Sequence, residues 1–332
     1  MSALIICVVI CAVVFEFING FHDTANAIAT SVYTRALSVG AAIALAAVMN
    51  FLGALVFEGV AKTISTGLVS TSLEQYVILA ALLGAITWNL LTWWKGIPSS
   101  SSHALIGSLL GAVIVYTATL DNIIWSGVLE KVIIPLFTSP LIGFILGYAI
   151  MKLIHHLFSR RPRSKVNGAF SRLQILSAAA VAFMHGTNDA QKTMGIITLA
   201  LVTASVPGIS ADHIPLWVKM LCGAAIAAGT SVGGWKIMKT MGGGVTKLDP
   251  AGGFAAQATS AAVIGLMTAL HSPISTTHVI TTSVMGVGSA RRLKAVKWKI
   301  AQDIVVTWVI TLPVSALLGG SFTIVIRALM GA

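Results

Sequence analysis

Two kinds of polar stretch each occur twice in this chain. The first reads GFHDTAN at Gly20–Asn26 and GTNDAQK at Gly186–Lys192; the second reads PSSSSH at Pro98–His103 and PISTTH at Pro273–His278. Asp23 and Asp189 are 166 positions apart, and His103 and His278 are 175 apart, in the same order. Recurrence of both stretches at nearly one spacing marks an internal duplication. In a helix, Asn19, Asp23 and Asn26 lie at i, i+4 and i+7 and share a face. Carboxylate, carboxamide and freed backbone carbonyls are hard oxygen donors that suit Na+ or H+ at a broken helix. Asn188, Asp189 and Gln191 repeat that chemistry. The candidate cation-coupling residues are therefore Asp23, Asn26, Asn19, His22, Asp189, Asn188 and Gln191, with Na+ expected among Asp23, Asn26, Asn188 and Asp189. His22 stands where the second copy has Asn188. Neutral imidazole is a poor Na+ ligand but can take a proton.

The second stretch offers the opposite charge. Proline followed by hydroxyl residues is a helix-start signal. The first N–H groups of a helix lack partners and carry partial positive charge, which makes an anion site. Two such starts facing each other would surround a tetrahedral oxyanion with N–H and O–H donors. The candidate ligands are Ser100, Ser101, Ser102, His103, Ser275, Thr276, Thr277 and His278, with Thr24 beside them. Ordinary helix caps would explain one such motif but not its duplication.

The elements that position these residues must lie in a membrane. The chain of 332 residues is 56% hydrophobic and only 9% charged, with a mean hydropathy of +0.92. A soluble domain carries about 25% charged residues, so this composition cannot cover a water-facing surface. The long apolar runs exclude a transmembrane barrel. The expected fold is an all-α polytopic membrane protein of about 10–12 segments, several broken or re-entrant, since about 20 apolar residues are needed to span. Apolar runs at 3–18 and 24–33, and at 173–185 and 194–206, read as short segments around each aspartate; the run 300–330 reads as two, divided near Pro313.

Net charge is +11, but it is concentrated in short gaps. Lys152, Arg160, Arg161, Arg163, Lys165 and Arg172 form one cluster, and five more basic residues lie between Arg291 and Lys299. Such clusters mark cytoplasmic loops rather than a nucleic-acid surface. The duplication then divides the chain into a first membrane repeat at 1–158, a basic cytoplasmic linker at 159–171 and a second membrane repeat at 172–332. With the region of Asp121, Glu130 and Lys131 outside, the two repeats are expected to be inverted relative to each other. Trp88, Trp93, Trp94 and Lys95 read as an interfacial anchor, Glu58 and Lys62 as a helix-surface pair, and Cys7, Cys11 and Cys222 as unpaired thiols in apolar runs.

An oxyanion site beside a cation site in an inverted repeat points to a secondary transporter. A dianion entering against about 100 mV is opposed by about 2.3 kcal/mol per charge, so cations, or a divalent metal in a neutral complex, must travel with it. An intramembrane hydrolase built on Ser102–His103 or Thr277–His278 is disfavoured: adjacent residues do not readily form a nucleophile–base pair, and neither pair lies in a G-x-S-x-G. An anion channel needs no buried acidic pair beside its anion site.

These motifs resemble the PiT family of inorganic phosphate transporters, through the duplicated G-x-N/H-D-x-x-N/K and P-x-S-S/T-S/T-H elements. The likeness extends through NFLGALV at Asn50–Val56, DPAGGFAAQ at Asp249–Gln257 and TWVITLP at Thr307–Pro313, and GFHDTANA is most like the bacterial low-affinity permeases. It implies phosphate symport rather than enzyme activity, no cofactor, a homodimer in the cell (inner) membrane, and re-entrant hairpins built from the Ser/Thr–His segments. Sodium-coupled animal members carry glutamate at the positions matching Lys62 and Gln257, which favours H+ over Na+ here. Some bacterial relatives carry sulfate.

Overall fold

A computed structural model describes residues 3–70, 72–211 and 213–331. The described chain is helical, and its element order runs twice through one series. The first pass comprises α1 (Ala3–Tyr33), α2 (Val39–Ala54), α3 (Gly59–Thr66), α4 (Gln75–Lys95), α5 (Ser101–Thr117), α6 (Trp125–Val128) and α7 (Ile134–Phe158), with a π-helical turn at Leu129–Ile133 joining the last two. The second comprises α8 (Arg163–Thr203), α9 (Leu216–Val232), α10 (Trp235–Lys239), α11 (Pro250–Ala269), α12 (Thr276–Arg291) and α13 (Trp298–Met330). Among the described residues, five helices are long and apolar enough to cross a membrane, or seven if each bent pair is one span. The bent pairs are α2 with α3, at 66°, and α9 with the helix at Ile237–Gly244, at 71°. Large apolar side chains point outward along α7 and α13, including Leu141, Ile145, Leu317 and Leu329, as lipid contact requires.

Three readings of the apolar runs are corrected. The runs on either side of Asp23 join into the single 31-residue helix α1. Those around Asp189 join into α8, whose 41 residues also take up the basic stretch from Arg163 onward. The run 300–330 is one helix with Pro313 inside it. The reason is common to all three. Hydropathy falls where polar side chains turn toward other helices, while the backbone remains hydrogen-bonded along its own helix. Proline within a membrane helix is tolerated when neighbouring groups compensate for the missing N–H. The actual interruptions are the bends after α2 and α9 and the short connections Gly96–Ser100 and Leu270–Ser275 that precede α5 and α12.

The two passes interlock. Helix α1 packs on α9 and α8 packs on α2, while α5 packs on α13 and α12 on α7. Glycine sets the separation at both motif helices. A Cβ on Gly20 would lie 2.4 Å from the Ile226 carbonyl oxygen of α9, and one on Gly186 would lie 2.2 Å from that of Asn50 in α2. The partner helices reciprocate: Gly229 of α9 meets the Phe17 carbonyl, and Gly53 of α2 meets the Phe183 carbonyl. Backbone thus touches backbone, as close membrane helix packing permits with small residues.

Gly186→Ala should destabilise the protein by about 1–3 kcal/mol, because the overlap with α2 outweighs the helix-propensity gain. Gly168→Ala, on the exposed start of α8 with open space around its Cβ position, should be neutral or stabilising by up to about 1 kcal/mol. Thermal unfolding in detergent distinguishes the two.

Candidate anion and cation site

Helices α5 and α12 begin deep inside the protein and their starts abut. Ser100 and Ser275 are the N-caps: each hydroxyl accepts from the backbone N–H three residues on, His103 at 3.2 Å and His278 at 3.3 Å. That leaves the N–H groups of Ser101, Ser102, Thr276 and Thr277 in the first turns without intrahelical acceptors. The Ser102 hydroxyl donates to the Ile274 carbonyl at 3.0 Å, stitching the two starts together. The His103 and His278 rings lie 4.9 Å apart, and His278 stacks on Trp308 at 3.9 Å. Both rings are fully buried, yet neither their nitrogens nor the Ser101 hydroxyl hydrogen-bond within the protein. Buried polar atoms are normally satisfied, so these groups stand out as polar atoms that the polypeptide leaves unpartnered.

Two carboxylates flank the junction. Thr277 Oγ1 donates to Asp23 Oδ1 at 3.1 Å and accepts from Asn26 Nδ2 at 2.8 Å. Thr276 Oγ1 donates to Asp189 Oδ2 at 3.0 Å. Each aspartate has a histidine beside it. His22 Nδ1 is 2.7 Å from Asp23 Oδ1, and its Nε2 is 3.0 Å from Thr92 Oγ1. His185 Nε2 is 3.0 Å from Asp189 Oδ2, and its Nδ1 is 2.9 Å from Asn50 Oδ1. Lys192 Nζ reaches into the centre, donating to Asp189 Oδ1, to Ser102 Oγ and, at 2.8 Å, to the Ile274 carbonyl.

The sequence candidates separate by helix face. Asp23, Asn26, Asp189, Ser101, Ser102, Thr276, Thr277, His103 and His278 converge, with His22 behind Asp23. Ser100 and Ser275 serve as caps. Asn188 points to the α11–α12 connection, its Nδ2 donating to Thr268 Oγ1 at 2.8 Å and to the Ser272 carbonyl at 3.2 Å. Asn19 donates to Glu16 at 3.4 Å. Two candidates lie elsewhere. Gln191 is two residues past Asp189 and so faces away from it; its Oε1 accepts from the Val60 N–H at 2.9 Å, capping α3. Thr24 meets Thr230 Oγ1 and Asn50 Nδ2, each at 3.0 Å, at the α1–α9 crossing. Gln257 cross-links α11 to α1 through the Ala27 carbonyl and Ser31. Glu58 pairs with Lys219 and not with Lys62.

Sequence reasoning assigns no role to His185, Lys192 or Asn50, and places Glu16 only as a proton stop on a helix turn near Asp23. Glu16 is fully buried and accepts from Thr193 Oγ1; among the described residues it has no cationic partner within ion-pair distance. The 166-residue offset could have exposed two of them. It sets His185 against Asn19 and Lys192 against Asn26, so the histidine and asparagine around each aspartate exchange places between the copies.

Removal of Asp189's charge leaves Lys192 buried without its counterion, whereas Asp23 is partnered by the Thr277 hydroxyl and His22 and has no lysine or arginine against it among the described residues. Asp189→Asn should therefore destabilise by about 3–5 kcal/mol, clearly more than Asp23→Asn. Equal melting temperatures for the two would contradict this asymmetry.

Comparison with known proteins agrees with the geometry. The phosphate transporter family pattern matches residues 19–167 and 158–319. A Bacillus subtilis protein named "Probable low-affinity inorganic phosphate transporter" is 53% identical over 319 residues, 95% of each chain. A Mycobacterium tuberculosis H37Rv protein of the same name is 45% identical over 317 residues, 95% of this chain and 76% of that one. A solved structure named "The sodium-dependent phosphate transporter" superposes with a TM-score of 0.86 at 26% identity, covering 98% of this chain and all of the other. With its duplicated aspartate helices and facing helix starts, this chain belongs to the phosphate transporter family.

Proposed function

We propose that the protein imports inorganic phosphate across the cell (inner) membrane by symport with protons, as a homodimer of chains whose two repeats are inverted. The observation that carries the phosphate assignment is the pair of abutting helix starts, lined by the unpartnered Ser101 hydroxyl and the unpartnered ring nitrogens of His103 and His278. The hydroxyl, the first-turn N–H groups and one ring N–H of each imidazole are donors suited to a tetrahedral oxyanion. The adjacent carboxylates of Asp23 and Asp189 favour phosphate over sulfate. An anion that still carries a proton can donate it to a carboxylate, whereas sulfate presents only acceptors and would be repelled.

Proton coupling is supported by His22, which bridges Asp23 to Thr92 and, at 3.4 Å, approaches Ser99. A proton arriving there neutralises charge beside the anion. Na+ coupling is the second reading. It is favoured by the buried amide oxygens of Asn19 and Asn26, neither of which accepts a hydrogen bond within the protein, and by the similarity to a solved transporter named as sodium-dependent. A divalent metal travelling with phosphate would enter as cargo.

Radiolabelled phosphate and sulfate uptake into proteoliposomes separates these readings. Uptake should follow an inward pH gradient without Na+, prefer phosphate, and be abolished by Asp23→Asn. His22→Asn should flatten the pH dependence. A Na+ requirement at constant pH would replace the proton reading with the second one, and an added Mg2+ arm tests the metal complex. Crosslinking in native membranes tests the dimer.

Ser101→Ala isolates the anion cradle. Its hydroxyl has no partner in the protein, so stability should not change, while phosphate affinity should fall about tenfold or more, since a hydrogen bond to a charged group contributes roughly 1.5–3 kcal/mol. Equilibrium binding and thermal unfolding on the same sample check both halves.

A further inference from the structure

We propose that the Lys192 ammonium is a tethered cation occupying the second-repeat counterpart of a coupling-cation site, so that exchangeable cation binding is confined to the first repeat around Asp23. This rests on the transport reading above and specifies how its coupling is divided.

The two copies give the comparison. In the first, Asn26 donates to the Thr277 hydroxyl, which comes from the opposite repeat's helix start. In the second, the aligned position is Lys192, which donates to Ser102, the residue aligned with Thr277. The contact is preserved and the charge is not. Around Lys192 Nζ stand a carboxylate oxygen of Asp189, the Ser102 hydroxyl and the Ile274 carbonyl. Carboxylate, hydroxyl and backbone carbonyl are the oxygen types that hold a hard monovalent or divalent ion. The ammonium already fills that position, and a second cation would meet it head-on. Around Asp23 no ammonium enters. Asn19 and Asn26 share the helix face of Asp23, their amide oxygens are buried and without hydrogen bonds, and the adjacent imidazole of His22 is the one basic group in contact with the carboxylate among the described residues.

Charge supports the same division. Asp23 and Asp189 place two negative charges beside the helix starts where the anion must sit. The Lys192 ammonium lies against one of them, and a fully buried lysine is almost never found without such a partner. The other must be cancelled by something that arrives and leaves. A covalently held cation cannot be released to the far side, so each cycle delivers one cation fewer than a protein with two open sites.

The test is equilibrium Na+ binding to the purified full-length protein, measured with radioactive Na+ and requiring no transport. Wild type should give either no binding or binding that Asp23→Asn abolishes and Asp189→Asn leaves unchanged. Lys192→Asn, which copies the first repeat, should bind Na+ at least tenfold more tightly than the chain that keeps Lys192 when both proteins carry Asp23→Asn, and Asp189→Asn added to it should remove the gain. Lys192→Arg should remain without the gain. If Lys192→Asn does not fold, Lys192→Gln takes its place, and loss of Na+ binding in an Asp189→Asn protein shown by thermal unfolding to be folded overturns the proposal. So does a folded Lys192→Asn protein without the gain, including one that has merely lost phosphate affinity equally at all Na+ concentrations, which would make Lys192 a phosphate ligand. Failure of wild type to take up phosphate under any gradient would instead remove the transport reading and leave the binding result standing.

Discussion

Two helix starts meet inside an apolar protein, and the rest of the structure answers that fact. Each contributes N–H groups without acceptors, and in a low-dielectric interior the resulting positive potential is weakly screened. Aspartates on two long helices lie beside it, held by the threonine hydroxyls of α12. The N-cap serines consume one N–H at each start and fix the local backbone. Unpartnered imidazoles complete the enclosure, with Trp308 closing one side of His278. The arrangement is polar at its centre, where helix starts and carboxylates meet, and apolar outside, where lipid contacts it.

Holding two helix starts together requires both repeats at once. The Ser102–Ile274 bond crosses between them, as do the contacts of Asn26 with Thr277 and of Lys192 with Ser102. The glycine crossings of α1 on α9 and of α8 on α2 bring each aspartate helix against the bent helix of the other repeat. Gln191 extends this linkage by capping α3 just beyond the α2–α3 bend. A displacement of α8 is therefore felt at the bend, which is a route by which the site and the broken helix can move together.

Much of this is legible in the residues alone. Duplication of two motifs at nearly one offset reveals the repeats, and proline followed by hydroxyls reveals the helix starts. What escapes is orientation around a helix. Gln191 and Thr24 have suitable chemistry, but each sits at a spacing from its aspartate that turns it off the shared face. The continuity of α1 and α8 is hidden because a hydropathy run cannot tell a polar residue facing lipid from one facing another helix. His185 and Lys192 are visible only by laying one repeat on the other, since neither residue type recurs at its aligned position. Asn50 lies far from both motifs in sequence and meets them through His185 and Thr24.

The interlocked repeats also set an order of events during synthesis. Helix α1 carries Glu16, His22 and Asp23, all buried in the finished protein. Thr24 on the same helix meets Thr230, 206 residues further along the chain. When α1 leaves the ribosome, the α9 and α12 segments that shield its polar face have not been made. Domains otherwise tend to fold from the N-terminus as they emerge, but the polar face of α1 is covered only in part by its own repeat, through Thr92 of α4 on His22, until the second repeat arrives. Early lodging of α1 against the insertion machinery or against α2 and α4 is thus a demand that the fold places on its own biogenesis.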